Sequence, residues 1–215
     1  MKNLFIAMAI GLFAVGCCNN QPAKEQECCK EGSNQVIETI MSRRSIRAYK
    51  DQPVEKELLD KVLECGIHAP NAMNAQQWEV RVVMSQEWIN MATEASKAAA
   101  KGSPMEAQYS DPAFKNIFRN APAVIFIGHK PSLFTPVDCG LMASNIMIAA
   151  KSLGLGTVCM AAPVMTFLMK PEGKPFLESL GFSEGYEPLI CIGIGYPDEE
   201  PAVKPRNKDV IKYVE

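Results

Sequence analysis

From Asn34 onward the chain alternates between two hydrophobic periods. Val36, Ile37, Ile40 and Met41, and again Leu58, Leu59, Val62 and Leu63, recur at the three-to-four-residue spacing that lines one side of a helix. Trp78, Val80, Val82 and Met84 alternate with Glu79, Arg81 and Val83, the period of a strand with at least one buried face. Residues 123–127 (AVIFI) and 189–194 (LICIGI) are short unbroken apolar runs, which predicts buried central strands. Residues 90–120 are polar, rich in Ala and Ser, and interrupted at Pro104 and Pro112, so helices with a mobile excursion are expected there. The strongest helix signal covers residues 135–153. Thr135 is placed to cap it, Pro136 suits its first position, and Gly154 can close its end. Gly140, Ala143, Ser144, Ala149 and Ala150 mingle there with Leu141, Met142, Ile146, Met147 and Ile148, so apolar groups surround the helix. That composition predicts a helix buried in a core or an interface, with Gly140 and Ala143 allowing a close isologous contact. Helices and strands without a strict βαβ rhythm predict a layered α+β domain.

Composition narrows the function. The 215 residues carry 22 Lys and Arg against 24 Asp and Glu, a net charge of −2, so the basic excess of a nucleic-acid binder is missing. Apolar residues at 47% and charged ones at 21% fit a folded body rather than a disordered chain. His68 and His129 are the whole histidine content, too little for a histidine-rich metal site, and neither is assigned a catalytic role. Of the eight cysteines, Cys17, Cys18, Cys28 and Cys29 crowd the N-terminus without CxxC spacing or a nearby histidine. Cys65, Cys139, Cys159 and Cys191 lie singly in apolar stretches and read as small buried hydrophobes.

The N-terminal segment has its own logic. A lysine at position 2 precedes an uncharged run, LFIAMAIGLFAV, within the length of a secretion-signal core and shorter than the ~18 residues of a membrane span. The run ends in Ala14-Val15-Gly16-Cys17, which resembles the lipobox of bacterial lipoproteins, with Ala14 standing where that pattern usually has leucine. The resemblance implies a signal peptide over residues 1–16 and a diacylglyceryl group on Cys17. Residues 17–33 are then a flexible tether, since they hold little that could be buried, and residues 34–215 are the folded domain. The protein is thus expected to be exported and held at a membrane, facing the periplasm or cell exterior, through its lipid anchor only.

Candidate chemistry sits in four segments. Arg43, Arg44 and Arg47 surround Ser45 directly after a helix, either an anion cradle of guanidinium forks or a solvated charge run. Residues 68–78 (HAPNAMNAQQW) form an amide-rich loop, suited to a planar heteroaromatic ring or simply a capped turn. Residues 154–162 read as a strand opening into a small-residue loop, and residues 193–197 (GIGYP) are followed by Lys204-Pro205-Arg206. Neither glycine pair completes G-x-G-x-x-G, so a separate Rossmann nicotinamide site is not supported. The pieces RRSIRAY (43–49), APNAMNAQQW (69–78), GLMASNIMIAAKSLGLGTVC (140–159) and IGIGYP with KPR (192–206) together resemble the nitroreductase family of FMN-dependent oxidoreductases, in that family's order. Gln77 departs from the proline usual there.

The resemblance implies a nitroreductase-like layered α+β fold, a mixed central sheet flanked by helices, and a homodimer with FMN at the subunit interface. Arg43, Arg44, Ser45 and Arg47 would hold the phosphate and the pyrimidine edge. Pro70, Asn71 and Asn74 belong to the loop that reaches a flavin, often the partner's. Met160 and Ala161 lie beside the ring, and Lys204 and Arg206 reach the phosphate. The implied function is ping-pong reduction of small nitroaromatic, quinone-like or related electron-poor acceptors, with NAD(P)H or another donor. Because nicotinamide is a cytoplasmic pool and the signal points outward, a membrane-associated or periplasmic donor is expected. Two alternatives remain. One keeps the flavin but performs reductive dehalogenation or flavin cannibalisation, with charged groups of residues 90–120 holding the substrate. The other is a flavin-binding lipoprotein without turnover.

Overall fold

Four strands assemble where the period-two and unbroken apolar runs predict them. In a computed structural model describing residues 34–215, these are β1 (Trp78–Val83), β2 (Ala123–His129), β3 (Gly156–Met160) and β4 (Glu187–Gly195). They pair antiparallel in the order β1-β2-β4-β3. The two unbroken runs are the two central strands, which have neighbours on both edges and helices over both faces, so no position needs a polar side chain. The parallel component of the expected mixed sheet reduces to a bridge between Ser45 and Thr157.

On one face, α2 (Lys56–Ile67) and α5 (Thr135–Ser152) bury Leu59, Val62, Met142 and Ile146 against Ile125, Ile127, Ile192 and Ile194. On the other, α3 (Gln86–Ala99), α6 (Lys174–Leu180) and a turn at Val164–Leu168 cover Val124, Phe126 and Cys191. Trp88 anchors this second layer, with ring contacts to Phe118, Phe126 and Phe176 at 5.5–6.1 Å. Two short helices complete the set: α1 (Gln35–Ser42), which rests on α5, and α4 (Met105–Tyr109). Helices α2 and α5 approach closely because Gly66 has no side chain. A Cβ there would lie 2.6 Å from Cγ1 of Ile146.

Helix α5 starts where β2 ends and runs back along the sheet. Its expected cap is displaced. Thr135 is already helical, and Ser132 accepts from the amides of Phe134 (3.3 Å) and Thr135 (3.2 Å) instead. The Thr135 hydroxyl donates to the Lys130 carbonyl at 3.0 Å and lies 2.8 Å from Nδ1 of His129, so it ties the helix to the strand. The far end matches its prediction. Gly154, at φ +79°, allows the Leu155 amide to reach the Ala150 carbonyl (2.9 Å) and the Gly154 amide that of Lys151 (3.1 Å), a Schellman close. Only half of the cysteine expectation survives. Cys139 and Cys191 are fully buried, and burial pushes the Cys139 thiol up to about 11. Cys65 and Cys159 are exposed, because each falls on the outward side of its element.

Candidate functional site

The register defines two ends of the sheet. Trp78, His129 and Glu187 mark one; Val83, Ala123, Gly195 and Gly156 mark the other. The arginine segment lies at the second end. The Ile46 amide donates to the Thr157 carbonyl (3.0 Å), the Lys50 amide to that of Tyr196 (2.9 Å), and the Asp198 amide to that of Ala48 (3.0 Å). Residues 45–50 are thereby laid as a ribbon between the start of β3 and the chain leaving β4. Glu199 fixes its middle by accepting from the Arg47 amide and, at 3.1 Å, from the Ala48 amide. Nothing in the sequence pattern singles out this residue, since it is the middle one of three acids, Asp198, Glu199 and Glu200, after a Gly-Tyr-Pro turn. Beneath the ribbon the Tyr49 hydroxyl donates to the Ile46 carbonyl at 2.7 Å. Burial, and secondarily the Glu199 charge, pushes its phenol well above the ordinary range.

Two hollows flank this ribbon. The larger, about 460 Å³, is lined by Arg47, Cys159, Met160, Ala161, Asn120 and Phe167 among others. The smaller, about 330 Å³, lies between the end of α1 and the start of β3 and holds Arg43, Arg44, Lys151 and Glu199. The arginines differ in what occupies them. Arg44 turns back, donating from Nη1 to the carbonyls of Met41 (2.7 Å) and Arg43 (2.8 Å), and so caps the end of α1. The Arg43 guanidinium makes no hydrogen bond or ion pair among the described residues. Burial raises the Cys159 thiol, and the Arg43 charge opposes that in part.

Another wall comes from the end of the 90–120 stretch, where the sequence predicts helices with a mobile excursion. Arg119 and Asn120 both adopt left-handed backbone, at φ 57° and 65°. Asn116 holds this kink, its Oδ1 accepting from the amides of Phe118 (2.9 Å) and Asn120 (3.0 Å). Asn120 reaches outward, donating from Nδ2 to the carbonyls of Ala113 (3.1 Å) and Arg47 (3.4 Å). The FRNAP segment could have flagged this, since asparagines before a proline favour such turns.

Pro70, Asn71 and Asn74 lie elsewhere. Their loop leads into Trp78 and so sits at the first end of the sheet, roughly 17 Å of strand from the arginine ribbon. Here Asn71 is a staple: its Oδ1 accepts from the Gln76 amide at 2.9 Å. Asp138 of α5, buried, holds the same loop through the Ala72 amide at 3.1 Å. Pro70 and Asn74 are exposed. Met73, Asn74 and Gln76 all have positive φ. Gln76, at φ 49°, also explains Gln77, because a proline at 77 would push the preceding residue toward extended backbone. Lys204 and Arg206 are exposed on the C-terminal segment and have no hydrogen bond or ion pair among the described residues, while Val203 beside them lines the smaller hollow. One chain therefore gathers Arg43, Arg44, Ser45, Arg47, Met160 and Ala161 and leaves Pro70, Asn71 and Asn74 at the far end.

Comparison with known proteins meets the same fold. Residues 40–196 match the nitroreductase family profile. An FMN reductase [NAD(P)H] of Bacillus subtilis is 30% identical over 187 residues, covering 80% of this chain and 70% of that protein. Crystal structures of FMN-bound nitroreductases from Bacteroides fragilis and Desulfitobacterium hafniense superpose with TM-scores of 0.74 each. They are 27% and 29% identical, and each match covers 85% of this chain and 100% of the other. With the motifs, the antiparallel sheet and these likenesses in agreement, the chain belongs to the nitroreductase family.

Proposed function

We infer that this protein is an FMN-dependent oxidoreductase that reduces small nitroaromatic, quinone-like or related electron-poor acceptors. The observation that carries the reading is the Ser45–Thr157 ribbon, which sets Arg43, a guanidinium without a partner among the described residues, in the hollow on one side and Arg47, Met160 and Ala161 in the cleft on the other. A guanidinium left unpaired among the described residues suits a phosphate, and a cation in a half-closed cleft suits an electron-accepting ring, so the residues fit FMN. The B. fragilis and D. hafniense relatives hold FMN, and the B. subtilis relative is named for the reaction of FMN with NAD(P)H. When bound, FMN carries electron pairs from the donor to the acceptor. Arg43 and Ser45 anchor the phosphate, with Lys204 and Arg206 reaching it from the C-terminal segment. Arg47 offsets negative charge at the pyrimidine edge. The test is spectroscopic: purified protein should be yellow, bleach anaerobically with a reductant and recover colour on adding a nitroaromatic or quinone. Colourless protein that takes up no FMN would end this reading.

The dehalogenation or cannibalisation alternative draws on charged groups of residues 90–120, of which Asp111 and Arg119 line the cleft while Lys97 and Glu106 are engaged within the chain. Lys97 pairs with Glu94 at 2.8 Å, Glu106 accepts from the Gly102 amide, and Asp111 accepts from the Ala113 amide.

The working unit is proposed to be a homodimer. Pro70, Asn71 and Asn74 serve a flavin that their own chain's arginines do not reach, and an exposed apolar face is at hand on α1 and α5, including Met41, Val137 and Leu141. The signal peptide, the lipid on Cys17 and the tether all lie outside the described residues. They are proposed from the sequence, together with export, an anchor made by lipid alone, and a membrane-associated or periplasmic donor. No helix among the described residues is long and apolar enough to cross a membrane. Metabolic labelling with a radioactive fatty acid should mark the wild-type protein and not Cys17→Ser, and fractionation should find it with membranes. An unlabelled protein in the cytoplasm overturns this part alone.

A further inference from the structure

We propose that Arg119 is an anion subsite of the acceptor pocket, and that the acceptors this enzyme favours are electron-poor aromatic or quinoid rings bearing a negatively charged substituent. The proposal rests on the FMN reading above and adds the substrate class. The first observation is backbone strain at the edge of the cleft. Arg119 is left-handed at φ 57° although its side chain is exposed and neither glycine nor asparagine. The Asn116 carboxamide holds that conformation through the Phe118 and Asn120 amides on one side and the Ala121 carbonyl, 3.1 Å away, on the other. Strain that its surroundings over-determine points toward a site.

The second observation is what the kink presents. Arg119 lines the 460 Å³ cleft facing Met160 and Ala161, and its guanidinium makes no hydrogen bond or ion pair among the described residues. The same cleft has an aromatic wall, where Tyr109 and Phe114 meet with ring centroids 4.9 Å apart and planes tilted by 40°, and the Tyr109 hydroxyl is held 3.1 Å from Oγ of Ser96. A ring can lie along that wall while a carboxylate or sulfonate reaches the arginine. The charged groups lining the cleft are Arg47, Arg119 and Asp111. Asp111 is engaged with the Ala113 amide at 2.8 Å and pairs with neither arginine, so the cleft keeps a positive balance.

The test uses flavin-loaded protein and two acceptors with the same ring and nitro group, 4-nitrobenzoate and its methyl ester. Wild type should prefer the acid in kcat/KM by about tenfold or more, the effect of one charge-assisted contact. Arg119→Gln should erase the preference through KM for the acid while leaving the ester within about twofold, and Arg119→Lys should restore part of it. A reading independent of turnover is calorimetry with benzoate, which should bind the oxidised wild type and lose about tenfold or more in affinity in Arg119→Gln. Wild type that retains FMN and reduces the ester without favouring the acid overturns the anion subsite alone. So does an Arg119→Gln variant that releases FMN, which makes Arg119 a cofactor ligand, or one whose only change is a raised KM for NADPH. Wild type that never retains FMN overturns the cofactor reading and this proposal with it.

Discussion

Arg43 and Arg44 are adjacent in sequence and have separate tasks. Because Arg44 is occupied by the Met41 and Arg43 carbonyls, Arg43→Ala should weaken FMN binding by about 10-fold to 100-fold in a fluorescence titration, while Arg44→Ala should change it less than about threefold and instead lower thermal stability. Equal losses from the two would contradict this division. The residue scale also holds a pH signature. The Tyr196 hydroxyl donates to Glu55 at 2.6 Å, which holds the Glu55 carboxyl below the usual carboxylate range and raises the Tyr196 phenol. A depressed acid stabilises the fold above its unfolded pKa of about 4.3 and loses that contribution as pH falls. A raised phenol stabilises below about 10 and loses its contribution as pH rises. The stability lost in Tyr196→Phe should therefore be largest between these limits and shrink toward both, modestly, because the pair is exposed. A pH-independent difference in chemical denaturation would refute it. At this scale the sequence revealed residue types but not their engagements. RRSIR offered either an anion cradle or a solvated charge run, yet which arginine stays unpaired among the described residues depends on the turn ending α1, and Glu199 acts through two amides 151 and 152 residues away.

Element identities were the most legible. The two unbroken apolar runs became the two central strands, and Gly154 closed α5, because both signals are local and physical. The cap at Thr135 was misassigned for a reason equally local: Ser132 stands three residues earlier and takes the amides first, which frees Thr135 to bind His129 and Lys130. Gly66 was silent in the sequence, since its purpose is a neighbour 80 residues on. Gly66→Ala gains helix propensity of about 1 kcal/mol, which offsets part of the contact with Ile146, whereas Gly66→Val should cost about 1–3 kcal/mol from overpacking. At roughly 2–4 °C per kcal/mol for a domain this size, Gly66→Val should lower Tm clearly and Gly66→Ala by much less. A Tm for Gly66→Val within about 1 °C of wild type would mean α2 and α5 can part freely.

For the whole molecule, linear order concealed what register reveals. Four motifs lie along one chain, but an antiparallel sheet sends the 69–77 loop and the 43–47 ribbon to opposite ends. Helix α5 was read as apolar all round, and its two sides have different fates: Ala143 is 2% exposed and belongs to this chain's core, while Leu141 is 40% exposed. Leu141→Glu should thus yield a folded monomer with a native circular dichroism spectrum and weakened FMN retention. Ala143→Glu should fail to fold. A dimeric, yellow Leu141→Glu protein would move the interface off this face. The separation of the two half-sites has a thermodynamic consequence. If each flavin is gripped by both copies, cofactor and subunit association are linked, and each must raise the affinity of the other by the same factor. Sedimentation equilibrium should then give a tighter dimer with FMN than without it. On dilution below the dimer dissociation constant, colour should leave the protein in step with the loss of dimer, so the flavin serves as a concentration gauge as well as a cofactor.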